Sequence, residues 1–100
     1  MIAAEVNSRI KQIIGSVAGI PPHRIDDRAT LRGELNLDSL SLLEIGVDVD
    51  LAFQLELPDE RYKEIDSVPA MLALVLDRLA EQEQEQEAAG SGARLLAAAG

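Results

Sequence analysis

The sequence predicts an all-α protein: an antiparallel bundle of three main helices plus one short helix, with a long loop between the first two. Two observations carry that reading. Three segments, near residues 2–17, 39–54 and 68–79, repeat apolar residues at helical spacing. Aromatics are nearly absent, with only Phe53 and Tyr62, so the core must be built from Leu, Ile, Val and Ala. That composition suits packed helices better than a sheet, since strands recruit aromatic and β-branched residues. A chain of 100 residues is too short for two independent cores.

The first helix is expected in "MIAAEVNSRIKQIIGSVAGI", where Ile2, Val6, Ile10, Ile13, Ile14 and Val17 make one stripe. Gly19 and the pair Pro21-Pro22 stop it. The loop "PPHRIDDRATLRGELNLD" is longer than most connections in compact domains, and Ile25, Leu31 and Leu35 are expected to pin it to the core. The second helix starts at or beside Ser39 and runs to about Gln54. Pro58 precedes a short helix from Asp59 to about Glu64. Ser67 is a natural N-cap for the last helix, with Pro69 in its first turn and Met71, Leu72, Val75, Leu76 and Leu79 on its buried face. The domain is expected to span 1–80. Residues 81–100, acidic and then Gly/Ala-rich, read as a frayed tail in which Glu81/Glu85 and Glu83/Glu87 repel one another.

Charge and composition exclude several functions. The formal charge is −9, from 18 acidic and 9 basic residues. Such a surface repels nucleic acid and anionic membranes and suits partners with basic patches. Without cysteine there is neither a disulfide framework nor a thiolate metal site. No apolar run reaches membrane-spanning length and the start has no signal-peptide pattern, so a soluble, cytoplasmic protein is expected; it is also expected to be a monomer.

The second helix holds the informative residues. Wound at about 100° per residue, its apolar side chains separate into two stripes. Leu42, Ile45, Val49 and Phe53, with Gly46 between them, make a core stripe. Leu40, Leu43, Val47 and Leu51 make a second, bordered by Glu44 and Asp50. If only one stripe faces the bundle, the other is an exposed apolar patch rimmed by acid, the usual mark of an interaction site. The alternative is that the short helix or the tail covers it. Ser39 reads most simply as an N-cap. As a hydrolytic nucleophile it is weak, because His23, in the loop, is the only histidine and no strained glycine elbow presents the serine. The pairs Asp26-Asp27 and Asp48-Asp50 lack companion ligands at metal spacing.

Taken together, "LNLDSLSLLEIGVDVDLAFQLELPDE" resembles the core of acyl carrier proteins. The matching positions are Asp38, Ser39, Leu40, Glu44, Phe53, Leu57, Pro58, Asp59 and Glu60, without a gap. "LRGELNLDS" looks like the family's loop end and "VPAMLALVLDRL" like its last helix, so the likeness covers about residues 2–80. The family usually has glycine two residues before the Asp. Here Asn36 stands there, and asparagine tolerates left-handed backbone angles. The family's second helix is also more acidic toward its end, where Leu51 stands here.

The resemblance implies a carrier and not an enzyme. Ser39 would receive 4′-phosphopantetheine from coenzyme A, installed by a phosphopantetheinyl transferase, with Asp38 and Leu40 beside it. The arm's thiol would then carry acyl groups as thioesters in fatty-acid, lipid or polyketide-type biosynthesis. A helix N-terminus favours the phosphodiester's charge, whereas Asp38 opposes it and is better explained by a cation in the transferase complex. The expected partner face comprises Leu40, Ser41, Leu43, Glu44, Val47, Asp48, Asp50 and Leu51, meeting basic patches on acyl-processing enzymes. In carriers of this type the acyl chain can slip between helices. A peptidyl carrier using the same arm, and a plain helical interaction module whose serine is only a cap, are the alternatives.

Overall fold

A computed structural model describes residues 2–99, with side chains described as far as Gln84. The expected bundle is present: α1 (Ala3–Ala18), a single 3-10 turn (Pro22–Arg24), α2 (Ser39–Phe53), a short α3 (Asp59–Lys63) and α4 (Val68–Ala99). Helix α1 packs on both α2 and α4, and α3 packs on α2.

In α1, Val6, Ile10 and Ile14 are fully buried, while Ile13 and Val17 lie at the margin of the core. Ile2 leaves the expected stripe. It is the N-cap residue of α1, in extended conformation, and is 63% exposed. The helix ends at Gly19, whose φ of 72° lies in the left-handed region that glycine enters without strain.

The long loop is held as a structural part of the bundle. Ile25, Ala29 and Leu31 are buried, and Leu35 packs against the same core. Its backbone is stitched to the connection between α3 and α4: Leu31 N–H donates to the Asp66 carbonyl at 2.8 Å, and Val68 N–H donates to the Ala29 carbonyl at 3.0 Å. Thr30 and Ser67 thereby form an isolated antiparallel bridge. These bonds satisfy backbone groups that a loop pressed against apolar side chains would otherwise leave unpaired.

Ser67 caps α4 as expected, its Oγ accepting from Ala70 N–H at 3.2 Å. Met71 and Val75 are buried, with Leu72, Leu76 and Leu79 around them, and Leu74 joins the core as well. The helix continues through 81–99, where the sequence reading places a frayed tail. Alanine, glutamate and glutamine are strong helix formers, which favours continuation despite the glutamate repulsions. Side chains after Gln84 lie outside the described residues.

Candidate functional site

The start of α2 is built by two neighbouring residues. Asn36 adopts φ 54°, the left-handed conformation expected of the residue standing in place of glycine. Asp38 is extended, and its Oδ1 accepts from Ser41 N–H at 2.8 Å, which makes Asp38 the N-cap. Two expectations change. Ser39 is not the cap but the first helical residue, and its exposed hydroxyl is free of capping duty. Asp38 needs no outside cation to account for it, because it closes the helix end. The Ser41 N–H bond stabilises the carboxylate form and holds Asp38 below the usual aspartate range.

Ser39 stands at the edge of a pocket of about 460 Å³ between α2 and α3. Leu40, Leu42, Leu43 and Tyr62 supply its apolar lining, and Arg32, Asp59 and Lys63 its charged rim. Leu43, a member of the second stripe, is 39% exposed and lines this pocket. His23 lies in the 3-10 turn and takes no part in it.

The two stripes of α2 separate as expected. Leu42, Ile45, Gly46, Val49 and Phe53 are buried. Leu40, Val47 and Leu51 are 67%, 42% and 71% exposed, so neither α3 nor the described part of α4 covers them. Glu44 and Asp48 are exposed beside them, and Ser41 is half-buried. Leu51 also borders a shallow groove against Arg9, Gln12 and Ile13 of α1.

Asp50 departs from the expected partner face. Its carboxylate turns inward, where Oδ1 accepts from Glu56 N–H at 3.2 Å and Oδ2 from Leu57 N–H at 3.0 Å and the Tyr62 hydroxyl at 2.7 Å. It organises the sharp connection between α2 and α3, in which Gln54 and Glu56 both adopt positive φ. The Tyr62 ring lies directly over Gly46, where an added Cβ would meet ring and Cβ atoms at 2.8–2.9 Å. Gly46 is therefore a packing requirement for seating α3. From α4, Arg78 Nε donates to the Leu55 carbonyl at 2.8 Å and Gln82 Nε2 to the Gln54 carbonyl at 2.6 Å, closing the C-terminal end of α2.

Sequence reasoning missed Tyr62, Arg32 and Lys63 as lining residues. The available signal was that every charged residue from 33 to 60 is acidic, which makes the nearby cations conspicuous. Among the described residues, no group of three or more His, Asp or Glu is placed to hold a metal ion.

The site is thus an exposed serine on the first residue of a capped helix, beside a pocket, in a small helical bundle. Comparison with known proteins shows which family has this arrangement. Residues 8–75 match the family described as "Phosphopantetheine attachment site". The acyl carrier protein of Thermobifida fusca (strain YX) is 31% identical over 64 residues, covering 64% of this chain and 81% of that protein. That of Rubrobacter xylanophilus is 29% identical over 73 residues, covering 73% of this chain and 90% of that protein. The solved acyl carrier protein from Enterococcus faecalis superposes with a TM-score of 0.64 at 26% identity, covering 78% of this chain and 99% of that one. The chain belongs to the acyl carrier protein family and carries its phosphopantetheine attachment domain. Its relatives are carriers, not enzymes, and membership implies dealings with a phosphopantetheinyl transferase and acyl-processing enzymes. No described helix is long and apolar enough to cross a membrane.

Proposed function

We propose that Ser39 is the attachment point and that the protein presents acyl thioesters to partner enzymes of fatty-acid, lipid or polyketide-type biosynthesis in the cytoplasm, acting as a monomer. One observation carries the reading. Within the matched domain, Ser39 is an exposed hydroxyl on the first residue of α2, with its helix capped by Asp38 and an apolar pocket beside it. The site fits the group it would hold. The hydroxyl is accessible, and the orphan N–H groups of the helix start favour an anion.

In the transferase complex, Ser39 Oγ attacks the phosphorus of coenzyme A that bears the pantetheine. The phosphoanhydride bond breaks, adenosine 3′,5′-bisphosphate departs, and the hydroxyl proton passes to the transferase. When bound, the arm supplies a thiol that holds acyl groups as thioesters. This chain supplies position: a fixed helix start, and the exposed stripe of Leu40, Leu43, Val47 and Leu51 with Glu44 and Asp48 on its border. The acids steer a basic partner and the apolar side chains supply contact area. Asp50 is outside this face, because its carboxylate is engaged within the fold. Residues 1–80 are the carrier unit in this reading, and 81–100 a tail outside it.

The test is incubation with coenzyme A and a promiscuous phosphopantetheinyl transferase, followed by intact-mass measurement. The expected result is a gain of one phosphopantetheine that Ser39→Ala abolishes. Wild-type protein left unmodified by several such transferases would replace this reading with the interaction module. Subsequent loading by aminoacyl rather than acyl ligases would point to a peptidyl carrier.

A further inference from the structure

Arg32 and Lys63 come from opposite ends of the acidic segment, one in the loop before α2 and the other at the end of α3, yet they rim the same pocket as Ser39. Neither side chain makes an ion pair: those among the described residues are Lys11–Asp27 and Arg78–Glu81, while Asp59 stands one turn before Lys63 and the Asp66 carboxylate is engaged with Arg32 backbone N–H. What sets these two cations apart from the other basic residues of an acidic chain is their place: both line the pocket that Ser39 lines. Arg61 sits on the same short helix and does not line the pocket, so the placement is particular to one face of α3.

We propose that Arg32 and Lys63 form an anion clamp for the phosphodiester of this chain's own arm, holding its first atoms over the pocket in the resting carrier. The proposal rests on Ser39 as the attachment point. The charges are complementary. Among the residues that line the pocket, Arg32 and Lys63 stand against one carboxylate, Asp59, while Asp38 and Asp66 lie just outside it, so these two side chains are the pocket's own attraction for a singly negative phosphodiester. The chemistry is also complementary, since a guanidinium offers a planar fork to two phosphate oxygens and an ammonium offers a compact point charge. The helix start contributes its own partial positive charge. The clamp offsets the repulsion of Asp38, whose carboxylate is adjacent in sequence and directed to Ser41 N–H. Both cations are exposed, so the interaction is screened by salt and can yield when a partner enzyme offers its own cations.

The experiment compares modified wild type with Arg32→Gln/Lys63→Gln and the charge-retaining Arg32→Lys/Lys63→Arg. Modification of each is confirmed by mass, and helix content by circular dichroism. The readout is phosphorus-31 transverse relaxation of the phosphodiester at low and high salt. Wild type should relax faster than the glutamine pair by about twofold at low salt, and the difference should vanish near 1 M salt. The charge-retaining pair should recover most of it. Equal relaxation in fully modified wild type and glutamine pair overturns the clamp. If the glutamine pair fails to fold, a salt-independent relaxation in wild type alone overturns it. Failure of wild type to accept the arm overturns the attachment site instead.

Discussion

The Tyr62 hydroxyl donates to Asp50 Oδ2 at 2.7 Å, joining two residues twelve apart in sequence and on different helices. The same carboxylate accepts from the backbone of Glu56 and Leu57, so one side chain holds both the α2–α3 connection and α3 itself. The pocket beside Ser39 lies between these helices, and Tyr62 is part of its wall. Its shape therefore depends on this bond and on Gly46 giving the ring room.

Removal of the two partners should have unequal effects. Tyr62→Phe loses one hydrogen bond and should cost about 1 kcal/mol, whereas Asp50→Ala strands two partly buried donors and an exposed one and should cost about 2–3 kcal/mol. Gly46→Ala forces the ring away and should cost about 1–3 kcal/mol by overpacking. Urea denaturation checks all three. An Asp50→Ala no more costly than Tyr62→Phe would show that the connection does not depend on the carboxylate.

Tyr62 is the only tyrosine, which makes its titration readable. Burial, followed by the bond to Asp50, raises its pKa well above the ordinary 10. A raised folded-state value means that the native form holds its proton more tightly. The stability contributed is full below the unfolded value of about 10 and is lost as pH rises from there toward the folded value. Phenolate absorbance should thus appear only together with loss of helical circular dichroism. Tyr62→Phe should flatten the decline in stability above about pH 10. Phenolate forming at pH 10 in a fully helical protein contradicts the assignment.

The helix start offers a paired comparison. Because Asp38 is the cap and Ser39 the first helical residue, Asp38→Ala should lower the melting temperature by a few degrees. Ser39→Ala should change stability by no more than about 0.5 kcal/mol. Only the second should abolish attachment of the arm. The cap's contribution should also fade as pH falls below about 4, since the folded Asp38 value is lowered and its carboxylate is the bonding form. Equal melting losses in the two variants would restore Ser39 as the cap.

Much of this arrangement is legible in the sequence, and the misses share a cause. Helical period alone divides α2 into Leu42/Ile45/Val49/Phe53 and Leu40/Leu43/Val47/Leu51, because side-chain direction on a helix follows from residue number. Asn36 is legible for a similarly local reason, since few residues accept positive φ. Which polar side chain folds back is not local. Asp38 and Ser39 are both good caps, and a shift of one residue in the helix start decides between them. Asp50 borders the apolar stripe in sequence, yet a tyrosine twelve residues on draws it inward. The pairing of Arg32 with Lys63 likewise needs the loop to be laid against α3 before it can be seen.

The acidic surface should respond to ionic strength. From Gly33 to Glu60 every charged residue is acidic, and all but Asp50 of these acids are exposed. Self-repulsion among them opposes the compact form and is screened by salt, so the melting temperature should rise from low ionic strength to about 0.15 M. A melting temperature unresponsive to salt contradicts this. Over the same range, binding to basic acyl-processing enzymes should weaken.

The exposed stripe of α2 gives the most direct test of function. Val47 and Leu51 are 42% and 71% exposed, so replacing each by serine removes little buried surface and should cost no more than about 0.5–1 kcal/mol. Val49, on the same helix and fully buried, supplies the contrast: Val49→Ala should cost about 1–3 kcal/mol through transfer and cavity terms. If the stripe docks a partner, Val47→Ser and Leu51→Ser will slow acyl transfer by the cognate enzyme while the melting temperature hardly moves. Leu51 carries the greater diagnostic weight, because the family tends to be acidic at that position and an apolar side chain there implies a partner with a matching apolar surface. A fully active Leu51→Ser protein would assign docking to the acids alone. A stability loss comparable to that of Val49→Ala would mean that the stripe is buried in solution, and the docking surface would have to be sought elsewhere.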